Sequence, residues 1–286
     1  MTDIPFVKMH GTGNDFVLVE KKDLADIPPA DFAVDICRRH FGAGSDGLLV
    51  VEDSQTADTA MRMYNPDGSE AMCGNGIRCF AKYVFEKNLV PKKTMSVETI
   101  GGIKKLNLDL DRDNVKSVRV NMGKPVFESR LIPVAAEQSS EPILDLCVQA
   151  LGRTFSAAVL SMGNPHCVIF TDELNRKDVI RFGGVIESDP LFPERVNTEF
   201  VKVMSREKIQ MNVFERGAGY TLSCGTGTCA AAVASHIKGF TGEHVEVEVP
   251  GGTLLVDYCE GGPVYMSGPA EFVYEGTYFC QTCFVS

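Results

Sequence analysis

Alternating apolar and polar residues predict β-strands in both halves of the chain. Residues 245–249 (Val-Glu-Val-Glu-Val) alternate strictly, which suits an antiparallel strand with one covered face. Short runs of apolar and β-branched residues predict further strands. These strands are expected at residues 16–19, 47–51, 118–120, 168–170 and 253–256.

A second apolar pattern predicts one prominent helix in each half. After Cys73, four apolar residues have the i, i+3, i+4, i+7 spacing of one helix face. They are Ile77, Phe80, Ala81 and Val84. After Cys224, residues 229–234 (Cys-Ala-Ala-Ala-Val-Ala) are small and apolar on every side. Such a helix suits a position enclosed by a sheet.

The two halves carry matching landmarks in the same order. The tetrads at 73–76 (Cys-Gly-Asn-Gly) and 224–227 (Cys-Gly-Thr-Gly) share a C-G-x-G pattern and lie 151 positions apart. Two further pairs of segments match at an offset of 150 residues. They are 13–19 with 163–169, and 97–102 with 247–252. This regularity predicts two homologous domains of about 150 residues.

Composition sets the class of protein. A chain of 286 residues with 44% hydrophobic content can bury two modest cores. Its formal net charge of −10 argues against nonspecific binding to nucleic acid. We expect a cytoplasmic protein with no membrane partner, because there is no leader-like basic and apolar start and no apolar stretch of spanning length. The ten cysteines are then expected to be reduced thiols.

The two helix-start cysteines are the candidate catalytic groups. A cysteine at a helix N-terminus meets backbone N–H groups and the positive end of the helix dipole, which lowers its thiol pKa. The following glycines allow a ligand to approach the backbone amides closely. Two such helix starts facing each other across a domain cleft would remove a proton from one face of a carbon and return one to the other.

Competing interpretations fit the residues less well. A buried cysteine beside glycine is usually a packing residue, but duplication in register favours a functional role. A zinc site is disfavoured because neither tetrad has C-x-x-C spacing and no paired histidine motif accompanies them. The glycine-rich segment 42–47 lacks a following Lys-Ser/Thr and predicts a turn. The C-x-x-C run from Cys280 to Cys283 is expected to lack both a preceding strand and a following helix and is interpreted as incidental.

Five motifs, in order from residue 9 to about residue 260, resemble the diaminopimelate epimerase family. They are residues 9–16 (Met-His-Gly-Thr-Gly-Asn-Asp-Phe), 64–70 (Tyr-Asn-Pro-Asp-Gly-Ser-Glu), 73–79 (Cys-Gly-Asn-Gly-Ile-Arg-Cys), 163–166 (Gly-Asn-Pro-His) and 215–228 (Glu-Arg-Gly through Cys-Gly-Thr-Gly-Thr). The resemblance implies epimerisation of L,L-diaminopimelate to the meso form, for lysine and peptidoglycan synthesis, without pyridoxal phosphate or metal. One of Cys73 and Cys224 would act as thiolate base and the other as thiol acid.

The resemblance also implies roles for residues around the two thiols. His166 and Glu215 would tune the thiols, and backbone amides in the first turn of each helix would stabilise the developing carbanion. Removing one such preorganised donor typically costs about 3 to 4 kcal/mol in the barrier. The amides are those of Gly74, Asn75, Gly225 and Thr226. The other substrate ligands would be Asn14, Asn65, Asn164, Asn197, Glu215 and Arg216.

Two positions are left without a role. Gly47 stands where some relatives carry a glutamine that contacts substrate, so that contact is not assigned here. Tyr220 has no place in the family's pattern. The residues also do not indicate which cysteine acts on which stereoisomer.

The fold implied is α+β, with two homologous domains that are each a mostly antiparallel curved sheet wrapped around a central helix. The active site would lie in the cleft between them. We expect an N-terminal domain of residues 1–124, completed by a strand at 270–286, and a C-terminal domain of residues 125–269, with the connection near 128–141. The expected partners are a small-molecule amino-acid substrate and a second copy of the chain in a homodimer.

Two other functions remain open at this point. One is a cofactor-independent racemase of a different amino acid. The other is a nonenzymatic amino-acid-binding or redox-sensing protein, in which Cys73 and Cys224 form a disulfide. Oxidation of this pair would also switch off an enzyme, since it removes both the base and the acid.

Overall fold

The computed structural model describes residues 2–136 and 141–280. The chain folds into two compact units. The first holds the described residues up to Val120 together with those from Gly268 onward, and the second holds Asn121–Ser267.

The first unit is a mixed, mainly antiparallel sheet with one long helix against it. β1 pairs antiparallel with β2, and β2 pairs parallel with β3. β3 pairs antiparallel with β4, which pairs antiparallel with β5 and parallel with β6. β6, β7 and β8 form a meander. The elements are β1 (Thr2–Gly11), β2 (Asn14–Glu20), α1 (Pro29–Ile36), β3 (Gly47–Glu52), β4 (Thr59–Tyr64), β5 (Glu70–Ala71), α2 (Gly74–Glu86), β6 (Thr94–Thr99), β7 (Gly102–Asp111) and β8 (Asn114–Gly123).

The second unit repeats this order of pairings. β10 pairs antiparallel with β11, β11 parallel with β12, and β12 antiparallel with β13. β13 then pairs antiparallel with β14 and parallel with β15, and β15, β16 and β17 form a meander. The elements are β9 (Ile143–Ala150), β10 (Arg153–Ser161), β11 (Pro165–Phe170), α3 (Arg176–Ile186), β12 (Asn197–Val203), β13 (Lys208–Glu215), β14 (Gly219–Thr221), α4 (Gly225–Ile237), β15 (His244–Val249), β16 (Gly252–Tyr258) and β17 (Val264–Gly268).

One strand of the first unit comes from the far end of the sequence. In the second unit, β10 has β9 as its antiparallel partner on the side away from β11. The corresponding partner of β1 is β18 (Glu271–Cys280), which pairs with it from Thr2 to His10. Both units therefore have the same strand neighbours, but only the second takes them from one continuous stretch of chain.

Both central helices are buried, but the side chains that they bury differ between the two units. Residues of α2 from Gly74 to Val84 are all buried, including the charged Arg78 and Lys82. α4 is lined instead by small side chains, and residues 230–234 are at most 2% exposed. Its small cross-section allows the strands of the second unit to pack on several sides of it.

The structure confirms the α+β class and the sheet around a central helix in each unit. All six predicted strands lie within observed strands, and both predicted helices are present. The apolar pattern missed two helices and several strands, among them α1, α3, β1 and β12. Of the expected connection near 128–141, the described part contains a 3-10 turn at Ser129–Leu131. The expectation that no strand precedes the C-x-x-C run is wrong, because a strand at Glu271–Cys280 pairs with β1 and leads into it. Residues 281–286 of the predicted final strand lie outside the described residues.

Candidate functional site

Both C-G-x-G cysteines are the N-cap residues of the central helices. Cys73 precedes α2 with φ −135° and ψ 127°, and Cys224 precedes α4 with φ −122° and ψ 116°. Neither side chain accepts a capping hydrogen bond, although Ser, Thr, Asp or Asn at this position usually does. The first intrahelical bonds run from Ile77 N to Cys73 O, 3.1 Å, and from Thr228 N to Cys224 O, 2.8 Å. The preceding amides of each first turn have no acceptor within their own helix.

Asn14 links Cys73 to the rest of the first unit. The Cys73 thiol donates to Asn14 Oδ1 at 3.4 Å, and Asn75 Nδ2 donates to the same oxygen at 3.3 Å. Asn14 Nδ2 donates to Asp46 Oδ2 at 2.7 Å. Three of the predicted site residues, Asn14, Cys73 and Asn75, are thus brought together by one amide.

A charged network fixes the strand that carries Asn14. Asp15 lies 2.5 Å from the buried Lys8 Nζ and 3.0 Å from Arg39, and Arg39 also bonds Asp46 at 2.8 Å. Burial alone would raise the pKa of Asp15, but bonds to Lys8 and Asp46 and the nearby Arg39 charge hold that pKa below its usual value. Asp15 is therefore an anion that ties the start of β2 to the segment between α1 and β3.

Arg78 anchors the start of α2 from inside. Its guanidinium is fully buried and donates to Gly74 O at 3.2 Å and to Asn75 Oδ1 at 2.9 Å. It also donates to Thr12 Oγ1 and to Pro269 O, each at 3.2 Å. The sequence placed Arg78 inside a motif without giving it a role, and the structure shows that it connects three segments of the first unit.

The Cys224 thiol is held in its neutral form. Cys224 is 5% exposed, and its thiol forms a hydrogen bond with Glu215. Its Sγ lies 3.5 Å from Thr226 Oγ1. Burial raises its pKa well above the ordinary value, and the carboxyl groups of Glu215 and Glu199 raise that pKa further when ionised. The expectation that a helix start lowers the thiol pKa is wrong for Cys224, because burial, together with the carboxyl group of Glu215, outweighs the helix dipole. This thiol is a proton donor at neutral pH.

His166 is enclosed by two hydrogen-bond partners. Its ring is fully buried, with Nδ1 2.7 Å from Glu199 Oε1 and Nε2 2.9 Å from Asn164 Oδ1. His166 lies on β11, and Glu199 lies on the parallel neighbour β12. Sequence reasoning missed Glu199. The available signal was an acidic residue inside an otherwise apolar strand, which must be paired when buried.

The remaining predicted ligands are placed by backbone contacts. Asn197 Nδ2 donates to Pro165 O at 2.9 Å, and Asn197 Oδ1 accepts from Arg216 N at 3.0 Å. The exposed Arg216 side chain reaches Glu194 O at 3.2 Å. In the first unit, Asn65 Nδ2 donates to Ser69 Oγ at 3.0 Å within a turn.

The two unassigned positions have structural explanations. The Arg176 guanidinium lies 4.8 Å above the centre of the Tyr220 ring, so Tyr220 packs β14 against α3. A Cβ atom at Gly47 would stand 3.0 Å from Tyr64 O and 3.2 Å from Met63 Cε, so the start of β3 has little room for a side chain.

Within residues 2–136 and 141–280, no three His, Cys, Asp or Glu side chains are grouped to hold a metal ion. No helix in that part of the chain is long and apolar enough to cross a membrane.

Comparison by sequence finds one protein family along most of the chain. The profile described as diaminopimelate epimerase matches residues 6–128 and 158–273. A diaminopimelate epimerase of Pelotomaculum thermopropionicum is 46% identical over 282 residues, covering 97% of this chain and 99% of its own. The enzyme of the same name from Carboxydothermus hydrogenoformans is 47% identical over 278 residues, covering 96% and 99%.

Comparison of solved structures finds the same fold in more distant proteins. A phenazine biosynthesis protein of the PhzF family from Bacillus anthracis superposes with a TM-score of 0.70 at 16% identity, covering 98% of this chain and 100% of its own. A hydroxyproline epimerase from Agrobacterium vitis superposes with a TM-score of 0.68 at 15% identity, covering 96% and 92%. At these identities the likeness concerns the fold alone.

Proposed function

Because the chain belongs to the diaminopimelate epimerase family, we propose that it is an isomerase that converts L,L-diaminopimelate to the meso form. The resemblance read from five motifs is confirmed by the family match. The structural observation that carries the proposal is the placement of two cysteines at equivalent helix N-caps of two similarly connected units.

Two thiols suffice for the reaction. One of Cys73 and Cys224, as thiolate, takes the α-proton, so that a C–H bond breaks and an S–H bond forms. The other thiol then delivers its proton to the opposite face of the same carbon. The substrate is neither oxidised nor reduced, and the enzyme ends with the protonation states of its two thiols exchanged. The buried neutral thiol of Cys224 suits the acid in one direction.

The carbanion needs charge stabilisation while it exists. The first-turn amides of Gly74, Asn75, Gly225 and Thr226 are the proposed donors to the α-carboxylate. Glu215, which accepts a hydrogen bond from Thr221 and touches Cys224, is proposed to tune that thiol. His166 is the second proposed tuning residue. The proposed ligands of the distal amino-acid group are Asn14, Asn65, Asn164, Asn197, Glu215 and Arg216.

Other features remain predictions. They are the homodimer, the cytoplasmic location and the domain boundaries at 124/125 and 269/270. The role in lysine synthesis follows from the family's name, and the role in peptidoglycan precursor synthesis remains a prediction. A racemase of another amino acid, or a binding protein with a Cys73–Cys224 disulfide, would share the paired thiols but would fail the following test.

Proton NMR of L,L-diaminopimelate in deuterium oxide tests the proposal. The reduced, chelator-treated protein should remove the α-proton signal and generate the meso isomer without added pyridoxal phosphate. Cys73→Ala and Cys224→Ala should each abolish the conversion, whereas Cys147→Ala, at an exposed cysteine, should not. A folded wild-type protein with free thiols and no exchange would overturn the substrate assignment. Formation of the meso isomer by either the Cys73→Ala or the Cys224→Ala variant would overturn the two-base mechanism.

A further inference from the structure

The carboxyl group of Glu199 is a buried titratable group that the proposed reaction does not use directly. Glu199 is 0% exposed on β12, between strands β11 and β13. Oε1 lies 2.7 Å from His166 Nδ1. Oε2 is buried and has no hydrogen-bond partner among the described residues. A carboxyl group with one satisfied oxygen and one orphaned oxygen requires an explanation.

The partners of His166 determine where its protons lie. Asn164 Oδ1, 2.9 Å from Nε2, can only accept a hydrogen bond, so Nε2 carries a proton. One further proton lies between Nδ1 and Glu199 Oε1. It belongs either to the ring, giving an imidazolium beside a carboxylate, or to Glu199, giving a neutral imidazole beside a carboxylic acid. Both forms of the pair have zero net charge.

The orphaned oxygen favours the neutral pair. A carboxylate shares its negative charge over both oxygens. Burying a charged oxygen without a hydrogen-bond donor costs more free energy than burying a neutral carbonyl oxygen without one. Burial raises the pKa of Glu199 and outweighs the charge and hydrogen bond of His166, which lower it. Glu215 raises this pKa, and a hydrogen bond from the Glu199 backbone lowers it. The other titratable groups facing Glu199 are Cys167 on β11 and Cys224 at the start of α4. Neither supplies a positive charge.

We propose that Glu199 is a positioning residue that donates its proton to His166 Nδ1 and so holds the ring as a neutral imidazole with its own proton on Nε2. This inference rests on the proposed function, in which His166 tunes a thiol. Its consequence is that His166 acts as a fixed N–H donor and not as a cation. A protonated Glu199 also adds no charge beside Cys224, so Glu215 is the remaining acidic neighbour that raises the pKa of this thiol.

Substitution by glutamine separates the two protonation states. The amide N–H of Glu199→Gln reproduces the donor of a carboxylic acid and cannot reproduce a carboxylate. We expect this variant to keep kcat within about threefold of wild type. Glu199→Leu removes the donor and leaves Nδ1 without a partner, and should lower kcat by about tenfold to a hundredfold with a smaller change in KM. Glu173→Gln, at an exposed glutamate of the same unit, is the matched control.

Nitrogen-15 NMR of the histidine rings gives a readout that does not depend on turnover. The chain has five histidines, and His166→Gln identifies the signal of interest. Wild type and Glu199→Gln should both show a neutral ring with its proton on Nε2 at pH 7.5, and Glu199→Leu should shift the Nδ1 resonance, because Nδ1 loses its hydrogen-bond donor. A doubly protonated ring in wild type, or an inactive but folded Glu199→Gln, would overturn the inference.

The exchange assay tests the epimerase function, and the histidine NMR signal tests the role of Glu199 independently. Absence of α-proton exchange in wild type rejects the proposed function while the tautomer is still read by NMR. If the Glu199 variants do not fold, the ring signal of wild type alone decides between imidazole and imidazolium.

Discussion

Gly227 lies directly against the carboxyl group of Glu199. A Cβ atom added at Gly227 would stand 2.6 Å from Glu199 Oε1 and 3.4 Å from Cys224 Sγ. Its counterpart Gly76, three residues after Cys73, faces apolar side chains instead, at 3.2 Å from Leu49 Cδ2 and 3.5 Å from the Phe16 ring. The two tetrads look alike in sequence, but only the second has its last glycine against a hydrogen-bonded acid.

Alanine at these two glycines should therefore have unequal effects. Gly227→Ala forces Glu199 and the Cys224 thiol to move, which should cost about 1–3 kcal/mol of fold stability. Displacement of the thiol should separately lower kcat/KM by roughly tenfold to a hundredfold. Gly76→Ala meets the end of a leucine side chain, which moves easily, so its loss should be below about threefold. Steady-state epimerisation of both variants gives the comparison. Equal losses would contradict the account, and Gly227→Ala combined with Glu199→Asp should recover part of the activity.

The charge at Glu215 should control the ionisation of Cys224. Burial is the largest cause of the raised pKa of this thiol, and the Glu215 carboxyl group raises the pKa further. Glu215→Gln should therefore lower the pKa of Cys224, but the increase caused by burial should remain. Peptide-resolved alkylation by iodoacetamide across pH 7 to 10 measures this, because only the thiolate reacts. The profile of Cys224 should move to lower pH, while that of the exposed Cys147 should not change. A move to higher pH would reject the assignment.

Removal of the buried guanidinium should destabilise the first unit. Arg78→Met leaves Gly74 O, Asn75 Oδ1, Thr12 Oγ1 and Pro269 O without this donor. The change removes four hydrogen bonds from a charged donor, each worth about 1.5–3 kcal/mol before relaxation, so we expect a loss of about 3 kcal/mol in the free energy of unfolding. Urea unfolding followed by circular dichroism measures it. Arg206→Met, at an exposed arginine, should remain within about 0.5 kcal/mol of wild type.

Asp58 should contribute to acid sensitivity of the fold. The bond from Lys92 and two bonds from Ser96 lower its pKa from 3.8 to about 2. The unfolded chain therefore binds more protons in this range, and the contribution of Asp58 is present above about pH 4 and lost as the pH falls toward about 2. Asp58→Asn should lower the Tm at pH 6 and reduce its fall between pH 4 and 2. Because Lys92 is exposed, the effect is small. An unchanged pH slope would show that the ion pair does not persist in solution.

The sequence predicted those features that depend on local periodicity. The alternation at 245–249 lies within β15, and the small-residue run at 229–234 lies within α4. Each pattern is visible because one face or one whole element is covered by the core. β12 shows no such period, since it runs between β11 and β13 and is buried from Asn197 to Val201.

The chemistry of the site depended on contacts between distant residues, which a single sequence does not display. The motifs located Cys224 and His166, but Glu199 lies 33 positions from His166 and becomes its partner only through the parallel pairing of β11 and β12. The thiol pKa of Cys224 was likewise set by burial and by Glu215. A helix dipole can be inferred from sequence, whereas the desolvation that opposes it cannot.

The pairing of β1 with β18 sets an order for folding during synthesis. The residues of the second unit, 121–267, are all translated before Glu271–Cys280, so that unit can close while the first still lacks its partner strand. Until then, β1 presents an unpaired row of backbone donors and acceptors, which is a template for pairing with another chain. On the ribosome, the part of the protein that begins first is therefore completed last.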